Sequence, residues 1–361
     1  MKVLVFPKDA NPYQELLYRP MREKYPDISI DYLTGPSANY QTINVVLLPL
    51  VLLLKRLQGY RIFHLHWTYL FRIPRLNRSV SRFLMQYFSI ATVGWIKLLG
   101  YKLVWTAHDH LPHAENFRNA RAVNKCITTL ADVVIVHSAE TIVQMQEIDL
   151  CTRRAVVVPI GSYGDIYKDD LSEAEARAKL GIGDEEFVFL FFGLIRRYKC
   201  VDQLIDAFSA LDIPTTRLLI AGQCQDDSLK GTLRSASQHA RISLHEGFVP
   251  DDDVATYFRA SNVVCLPFRE TTTSSTALLT LSFGRPLIAP ALGTIRDLPP
   301  ESGFYYDPLV PNALLDSMQK SLSEKADLAR RGSAGKQYSK SLSWDVIAES
   351  THQLYVDISA R

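Results

Sequence analysis

Phe-Phe-Gly-Leu-Ile-Arg-Arg-Tyr-Lys fills positions 191–199, and Val-Asp-Gln-Leu-Ile-Asp-Ala-Phe follows at 201–208. An apolar, aromatic-rich run (187–192) stops at Gly193, passes through Arg196 and Lys199, and enters a segment with helical spacing of apolar side chains. Strand, short loop, helix is the unit from which parallel α/β sheets are built, and in such sheets ligands bind beyond the carboxyl ends of the strands. An Arg and a Lys three residues apart in that loop suit a diphosphate, the guanidinium through forked hydrogen bonds and the ammonium as a point charge. A solvated basic turn is the alternative reading of the same spacing.

The alternation recurs along the chain. Short apolar runs at 3–6, 62–65, 102–105, 133–136 and 156–159 read as buried strands, and a second set lies at 187–192, 217–221, 242–246, 263–267 and 286–289. Helical stretches such as 202–211, 251–260 and 277–283 separate them. Two sets of strands predict two doubly wound domains. Ile-Gly-Ser-Tyr-Gly-Asp (160–165) breaks the pattern and divides a first domain, 1–165, from a second, 166–342, with a last helical segment over 343–361.

A second stretch adds chemistry to the second domain. Cys-Leu-Pro-Phe-Arg-Glu-Thr-Thr-Thr-Ser-Ser-Thr at 265–276 takes a strand into a hydroxyl-rich loop and then a helix ending at Gly284. Ser274, Ser275 and Thr276 stand where free backbone N–H groups and the helix dipole favour an anion. Ordinary Ser/Thr capping accounts for one of these hydroxyls. Glu270 can hold sugar hydroxyls or be a surface charge. In the first domain, Thr-Ala-His-Asp-His-Leu-Pro-His-Ala-Glu (106–115) follows a strand and supplies groups for acid/base work. His64 and His66 are further acceptor-side candidates.

The glycine–Arg–Lys loop, the Pro-x-x-Glu loop (267–270), the Phe-Gly-Arg-Pro helix end (283–286) and the Ser-Trp-Asp start of the last helix (343–345) together resemble a GT-B glycosyltransferase of the glycosyltransferase-4 type. The likeness extends through His-Leu-His-Trp (64–67), Trp-Thr-Ala-His-Asp (105–109), Val-His-Ser (136–138) and Val-Pro-Ile-Gly (158–161). It implies two Rossmann-like domains with a deep cleft between them and a closing helix that returns to the first domain. A nucleotide sugar, UDP- or GDP-linked, would be the donor, with no metal and no other cofactor. Arg196 and Lys199 would take the diphosphate beside Gly193, and Ser274–Thr276 would add backbone donors. Phe248 and Val249 would border the base, and His108 would face the donor sugar. Asp109 is the base if the reaction inverts at the anomeric carbon and orients the acceptor if it retains. Where the family has Glu-x₇-Glu, this chain has Thr271 and Leu279, with Glu270 one residue from the first position.

Net charge is +2, yet residues 32–108 carry nine Lys or Arg and no Asp or Glu. Residues 43–57 form a very apolar segment ending in Lys55-Arg56, and 71–82 hold four arginines beside Phe83-Leu-Met-Gln-Tyr-Phe88. A basic, apolar surface suits an anionic bilayer face, and a buried helix with arginines at its ends is the alternative. The expected partners are therefore a lipid-linked saccharide or polysaccharide acceptor and the cytoplasmic face of a membrane, held peripherally, with no nucleic acid. No apolar run approaches the roughly 20 residues that span a bilayer. The five scattered cysteines form no C-x-x-C pair, which predicts reduced thiols. The acidic runs Asp226-Asp227 and Asp251–Asp253 could suggest metal ligands, but the second sits at an expected helix start, where acids oppose the dipole. A nucleotide-sugar-binding scaffold and a sugar-nucleotide epimerase are the alternative functions on the same fold.

Overall fold

The computed structural model describes residues 1–9, 12–33, 47–67, 77–108 and 117–360. Contacts divide the chain into unit 1, Met1–Gly161 with Trp344–Arg361, and unit 2, Ser162–Ser343. Unit 1 contains β1 (Lys2–Phe6), α1 (Tyr13–Lys24), β2 (Ser29–Tyr32), α2 (Leu48–Leu57), β3 (Ile62–Leu65), α3 (Arg78–Leu98), β4 (Lys102–Thr106), α4 (Ala120–Leu130), β5 (Val133–Val136), α5 (Ala139–Glu147) and β6 (Ala155–Val157). Unit 2 contains α6 (Glu173–Leu180), β7 (Phe187–Phe192), α7 (Val201–Ala210), β8 (Thr216–Gly222), α8 (Asp227–Ala236), β9 (Ile242–Glu246), α9 (Asp251–Ala260), β10 (Val263–Cys265), α10 (Ser275–Ser282), β11 (Leu287–Pro290), β12 (Gly303–Tyr306), α11 (Ala313–Ser323) and α12 (Leu328–Ser341). The last helix, α13 (Trp344–Ala360), packs on α1 in unit 1.

Both sheets are parallel, ordered β2-β1-β3-β4-β5-β6 and β12-β11-β10-β7-β8-β9. Strands covered by helices on both faces need apolar side chains on both, so β1, β3, β5 and β7 are nearly unbroken apolar runs. The strand order reverses between β1 and β3 in unit 1 and between β7 and β10 in unit 2. At such a reversal the connecting helices leave to opposite faces and a crevice opens beyond the carboxyl ends.

Each sheet has six strands where the sequence suggests five. The additional strands, β2 and β12, are edge strands. An edge strand is less enclosed and need not be a continuous apolar run, and Ser29-Ile-Asp-Tyr32 and Gly303-Phe-Tyr-Tyr306 are short and mixed. Of the apolar segment at 43–57, residues 43–46 lie outside the described residues and the remainder contains α2.

The return of α13 is fixed by close packing. A Cβ on Gly161 would lie 2.4 Å from the Trp344 ring, and Trp344 in turn meets Tyr13 edge-on at 5.2 Å. Deeper in, the Tyr355 hydroxyl reaches His64 Nδ1 at 2.5 Å.

Candidate functional site

The unit 2 site is built at the β7/β10 reversal. β7 ends at Gly193, whose N–H donates to the Ala221 carbonyl at 2.9 Å. The chain then turns away with φ +113° at Gly193, a conformation that favours glycine. Ile195 is pinned to the segment after β8: its N–H donates to Gln223 O at 2.9 Å, and Gln225 N–H donates back to Ile195 O at 3.0 Å. A single 3₁₀ turn, Arg197–Lys199, carries the basic side chains onward into α7.

Arg196 is exposed and its Nε donates to Gln225 Oε1 at 2.8 Å, which aims the guanidinium along the sheet edge. Lys199 is buried, with its Nζ over the Phe268 ring at 5.5 Å. A Cβ on Gly193 would stand 3.5 Å from Lys199 Nζ and 3.6 Å from Thr276 Oγ1, so the glycine, the lysine and the start of α10 meet at one point. Burial, and then the nearby Arg196 cation, lower the Lys199 ammonium to about 8. Neither cation has a carboxylate partner among the described residues.

The loop after β10 is tied to the basic turn, because Arg269 N–H donates to Tyr198 O at 2.8 Å. Ser274 caps α10, its hydroxyl accepting from Ala277 N–H at 3.2 Å, while its own N–H donates to Thr294 Oγ1 at 3.1 Å. Ser274 is therefore committed to the fold, and Ser275 is exposed. Glu270 is exposed on the same loop. Phe248, 78% exposed, and Val249 follow β9 on the same carboxyl edge, after Gly247 at φ +146°. Of the two family glutamate positions, Thr271 Oγ1 donates to Thr273 O at 3.0 Å and Leu279 is buried in α10.

Gly222 and Gln225 also shape this site, and neither is marked by charge or a motif. A Cβ on Gly222, at φ +150°, would lie 1.9 Å from the Gly193 carbonyl oxygen. Gly222→Ala is expected to cost about 3 kcal/mol or more and to displace the basic loop. Gly231, in α8 with open space around it, is the control: Gly231→Ala should stabilise by about 0.5–1 kcal/mol. Urea unfolding of both variants checks the contrast, and equal midpoints would refute it.

In unit 1 the carboxyl ends of β3, β4 and β5 gather histidines. His66 Nδ1 lies 3.2 Å from His108 Nε2, and His108 Nδ1 lies 3.2 Å from His137 Nε2. Tyr13 meets the His108 ring edge-on at 4.6 Å, and Trp67 lies nearly parallel to it at 4.6 Å. Burial first, then neighbouring imidazoles, push His66 and His108 well below 6.5. Burial alone lowers His64 to about 3, and for His137, at about 4, it outweighs the Val158 carbonyl bond. Tyr13 escapes a motif search, and His137 is marked only as part of Val-His-Ser (136–138), although a histidine stands on or just past three consecutive strand ends. Asp109, with His110, His113 and Glu115, lies outside the described residues.

The acid-free run is less free than its composition suggests. Arg72 and Arg75, and the Arg78 side chain, lie outside the description. Arg56 Nε donates to Leu99 O at 2.8 Å, Arg82 Nη2 donates to Phe117 O at 2.9 Å, and Lys97 pairs with Asp132. The large apolar side chains exposed here include Leu47 just before α2, Leu50, Leu54 and Leu57 on it, and Phe83, Leu84, Tyr87 and Leu98 on α3. No helix among the described residues is long and apolar enough to cross a membrane. Asp226 caps α8 by accepting from Ser228 N–H at 3.0 Å, and Asp251–Asp253 open α9. Among the described residues no cluster of His, Cys, Asp and Glu is placed to hold a metal ion.

Residues 172–338 match the family described as glycosyl transferases group 1. A GDP-mannose:glycolipid 4-beta-D-mannosyltransferase from Xanthomonas campestris pv. campestris is 28% identical over 268 residues, 73% of this chain and 71% of that protein. A D-inositol 3-phosphate glycosyltransferase from Corynebacterium glutamicum (strain R) is 24% identical over 76% of this chain and 71% of its own length. In fold, the chain resembles sucrose-phosphate synthase from Thermosynechococcus elongatus, with TM-score 0.75 at 19% identity over 99% of each chain. It also resembles Anabaena HepE in complex with UDP-glucose, with TM-score 0.71 at 16% identity over 100% of each. The buried lysine at the β7/β10 reversal thus lies within the segment that matches the group 1 glycosyl transferases, and the chain is a glycosyltransferase of GT-B fold.

Proposed function

We propose that the chain transfers a hexose from a GDP- or UDP-linked donor to a lipid-linked saccharide at a membrane surface. The observation that carries the donor side is Lys199, a buried cation without a carboxylate partner among the described residues, set against Gly193 and Thr276. Burying such a charge is costly unless an anion completes it. A nucleotide diphosphate supplies that anion, with Arg196 on its exposed side. Phe248 and Val249 offer an apolar contact to the base, and Ser275 and Thr276 offer the first turn of α10 to the diphosphate. Glu270 is proposed to hold sugar hydroxyls.

The mannosyltransferase relative is named for a β-linked product. GDP-mannose carries its sugar α-linked, so a shared outcome means inversion. In that case the acceptor oxygen attacks the anomeric carbon and Asp109 takes the acceptor proton. The bond from that carbon to the diphosphate breaks, and its electron pair leaves with the nucleotide toward Arg196 and Lys199. His108, held well below 6.5, is a poor base and serves as a hydrogen-bond partner to the donor sugar.

The membrane side rests on the exposed leucines of α2. Trp95 Nε1 donates to Pro49 O at 3.0 Å and ties that helix to α3, so the two apolar faces share one flank of unit 1. Labelled GDP- and UDP-hexoses, offered with a lipid-linked saccharide in phosphatidylglycerol vesicles, test both parts. Label is expected in the lipid phase from one donor class, and no transfer from either class rejects the proposal. The triple variant Leu50→Ser, Leu54→Ser, Leu57→Ser should lose flotation with vesicles yet keep its activity on a detergent-solubilised acceptor. Undiminished flotation would reject the membrane contact.

A further inference from the structure

Unit 1 contains one continuous chain of hydrogen bonds, of which the reaction scheme uses only His108. It starts at the Val158 carbonyl, which lies 2.9 Å from His137 Nδ1. It continues through the 3.2 Å contacts of His137 with His108 and of His108 with His66. His66 Nε2 then meets the Tyr18 hydroxyl at 2.7 Å, and Tyr18 meets His64 Nδ1 at 2.8 Å. The far end of His64, Nε2, meets Thr106 Oγ1 at 2.7 Å. His64, His66, His137, Tyr18 and Thr106 are buried, and His108 alone in the chain is partly exposed.

Donor and acceptor roles in this chain follow from one end. A carbonyl can only accept, so the hydrogen of His137 sits on Nδ1. A neutral imidazole has a single N–H, so His137 Nε2 accepts and the hydrogen facing it is on His108 Nδ1. The same step makes His108 Nε2 an acceptor, places the next hydrogen on His66 Nδ1, and leaves His66 Nε2 to accept from Tyr18 O–H. Every bond from Tyr18 to Val158 then points the same way, and aligned bonds polarise and strengthen one another. Burial keeps the rings neutral at pH 7. The groups packed around them are the Tyr13, Tyr18 and Tyr355 phenols and the Trp67 indole, with the Trp344 indole against Tyr13.

We propose that His137 and His66 are positioning residues, and that the Val158 carbonyl, acting through His137, locks His108 with its proton on Nδ1 and an acceptor lone pair on Nε2. The nitrogen that accepts is set by the bond the other nitrogen makes, as for any working histidine. His66 donates to that lone pair at 3.2 Å, the long end of the hydrogen-bond range, so a sugar hydroxyl can compete for it. The inference deepens, and rests on, the reading of His108 as the unit 1 residue that meets the donor sugar.

Side-chain ¹⁵N–¹H correlation spectra of the histidine-labelled full chain at pH 7.5 test it without any substitution. His66, His108 and His137 are expected as Nδ1–H tautomers, whereas an exposed histidine favours Nε2–H. An Nε2–H signal at His108 overturns the proposal. His137→Leu should release His108 to the other tautomer and lower kcat by about 10- to 100-fold. His137→Gln, whose amide oxygen can replace Nε2 as acceptor, should restore the His108 tautomer and most of the rate. Equal loss in both variants, with the His108 tautomer unchanged in each, overturns the positioning role. An Nδ1–H spectrum together with full transfer by His108→Ala keeps the chain of bonds and removes the sugar-contact reading instead.

Discussion

Lys199→Met is expected to lower sugar transfer by about 10²- to 10³-fold, the usual effect of removing one preorganised charge from a developing anion. Methionine matches the aliphatic stem over Phe268 and adds no unpaired polar atom, so the fold should hold while the charge is lost. The loss should fall mainly on kcat, because charge on the leaving diphosphate grows as the sugar–oxygen bond breaks. Arg196→Ala should cost less and act mainly on donor KM, since Arg196 is exposed and held from outside by Gln225. A lysine lowered to about 8 also predicts a pH limb: kcat/KM for the donor should fall above pH 8 as the free enzyme loses that cation. Steady-state kinetics of the three proteins from pH 6.5 to 9.5 decide the matter. A Lys199→Met enzyme within threefold of the parent would remove the diphosphate assignment.

Acid should unfold unit 1 well before it affects ordinary carboxylate pairs. In the unfolded chain a histidine takes up its proton near 6.5. In folded unit 1, His137 does so at about 4 and His64 at about 3, with His66 and His108 also held well below 6.5. The unfolded state therefore binds more protons throughout this interval. Stability is full above about pH 6.5 and falls as pH drops through it toward 4. Each histidine removes about 1.4 kcal/mol per pH unit, so His64 and His137 together remove about 2.5 kcal/mol per unit near pH 5, and His66 and His108 act in the same direction. Over two pH units that approaches the lower end of an ordinary domain's stability.

The readout is specific to one unit. All four tryptophans, Trp67, Trp95, Trp105 and Trp344, belong to unit 1, so indole fluorescence reports its unfolding without a contribution from unit 2. Urea midpoints followed this way should drop steeply between pH 7 and pH 5. Replacing His137 with Gln should flatten the slope, because one of the titrating groups is gone. A midpoint unchanged over those two units would mean that the histidines are not buried neutral in the native state.

Much of the fold was legible because parallel strands covered on both faces must be apolar at every position. Val3-Leu-Val-Phe6 and Phe187-Val-Phe-Leu-Phe-Phe192 announce themselves for that reason. β2 and β12 did not, since an edge strand can be short and mixed. The lack of acids in residues 32–108 was visible, but composition does not say where a guanidinium points. Arg56 and Arg82 turned out to donate to the Leu99 and Phe117 carbonyls, leaving exposed leucines as the surface feature.

Local chemistry in the sequence alone determined that Gly193, Arg196 and Lys199 form a strand-to-helix loop and that Ser274–Thr276 begin a helix. Only the tertiary structure decided that these two loops meet. The pairing of β7 with β10, rather than with the next strand in the chain alone, creates the reversal point that brings Lys199 to Thr276. Such a contact joins residues far apart in sequence, and its driving force is burial of both faces of a shared sheet, which no short window of sequence records. The histidine chain has the same origin. The four rings sit on or just past three strands, and only the β3-β4-β5 order places His66, His108 and His137 within hydrogen-bond reach of one another.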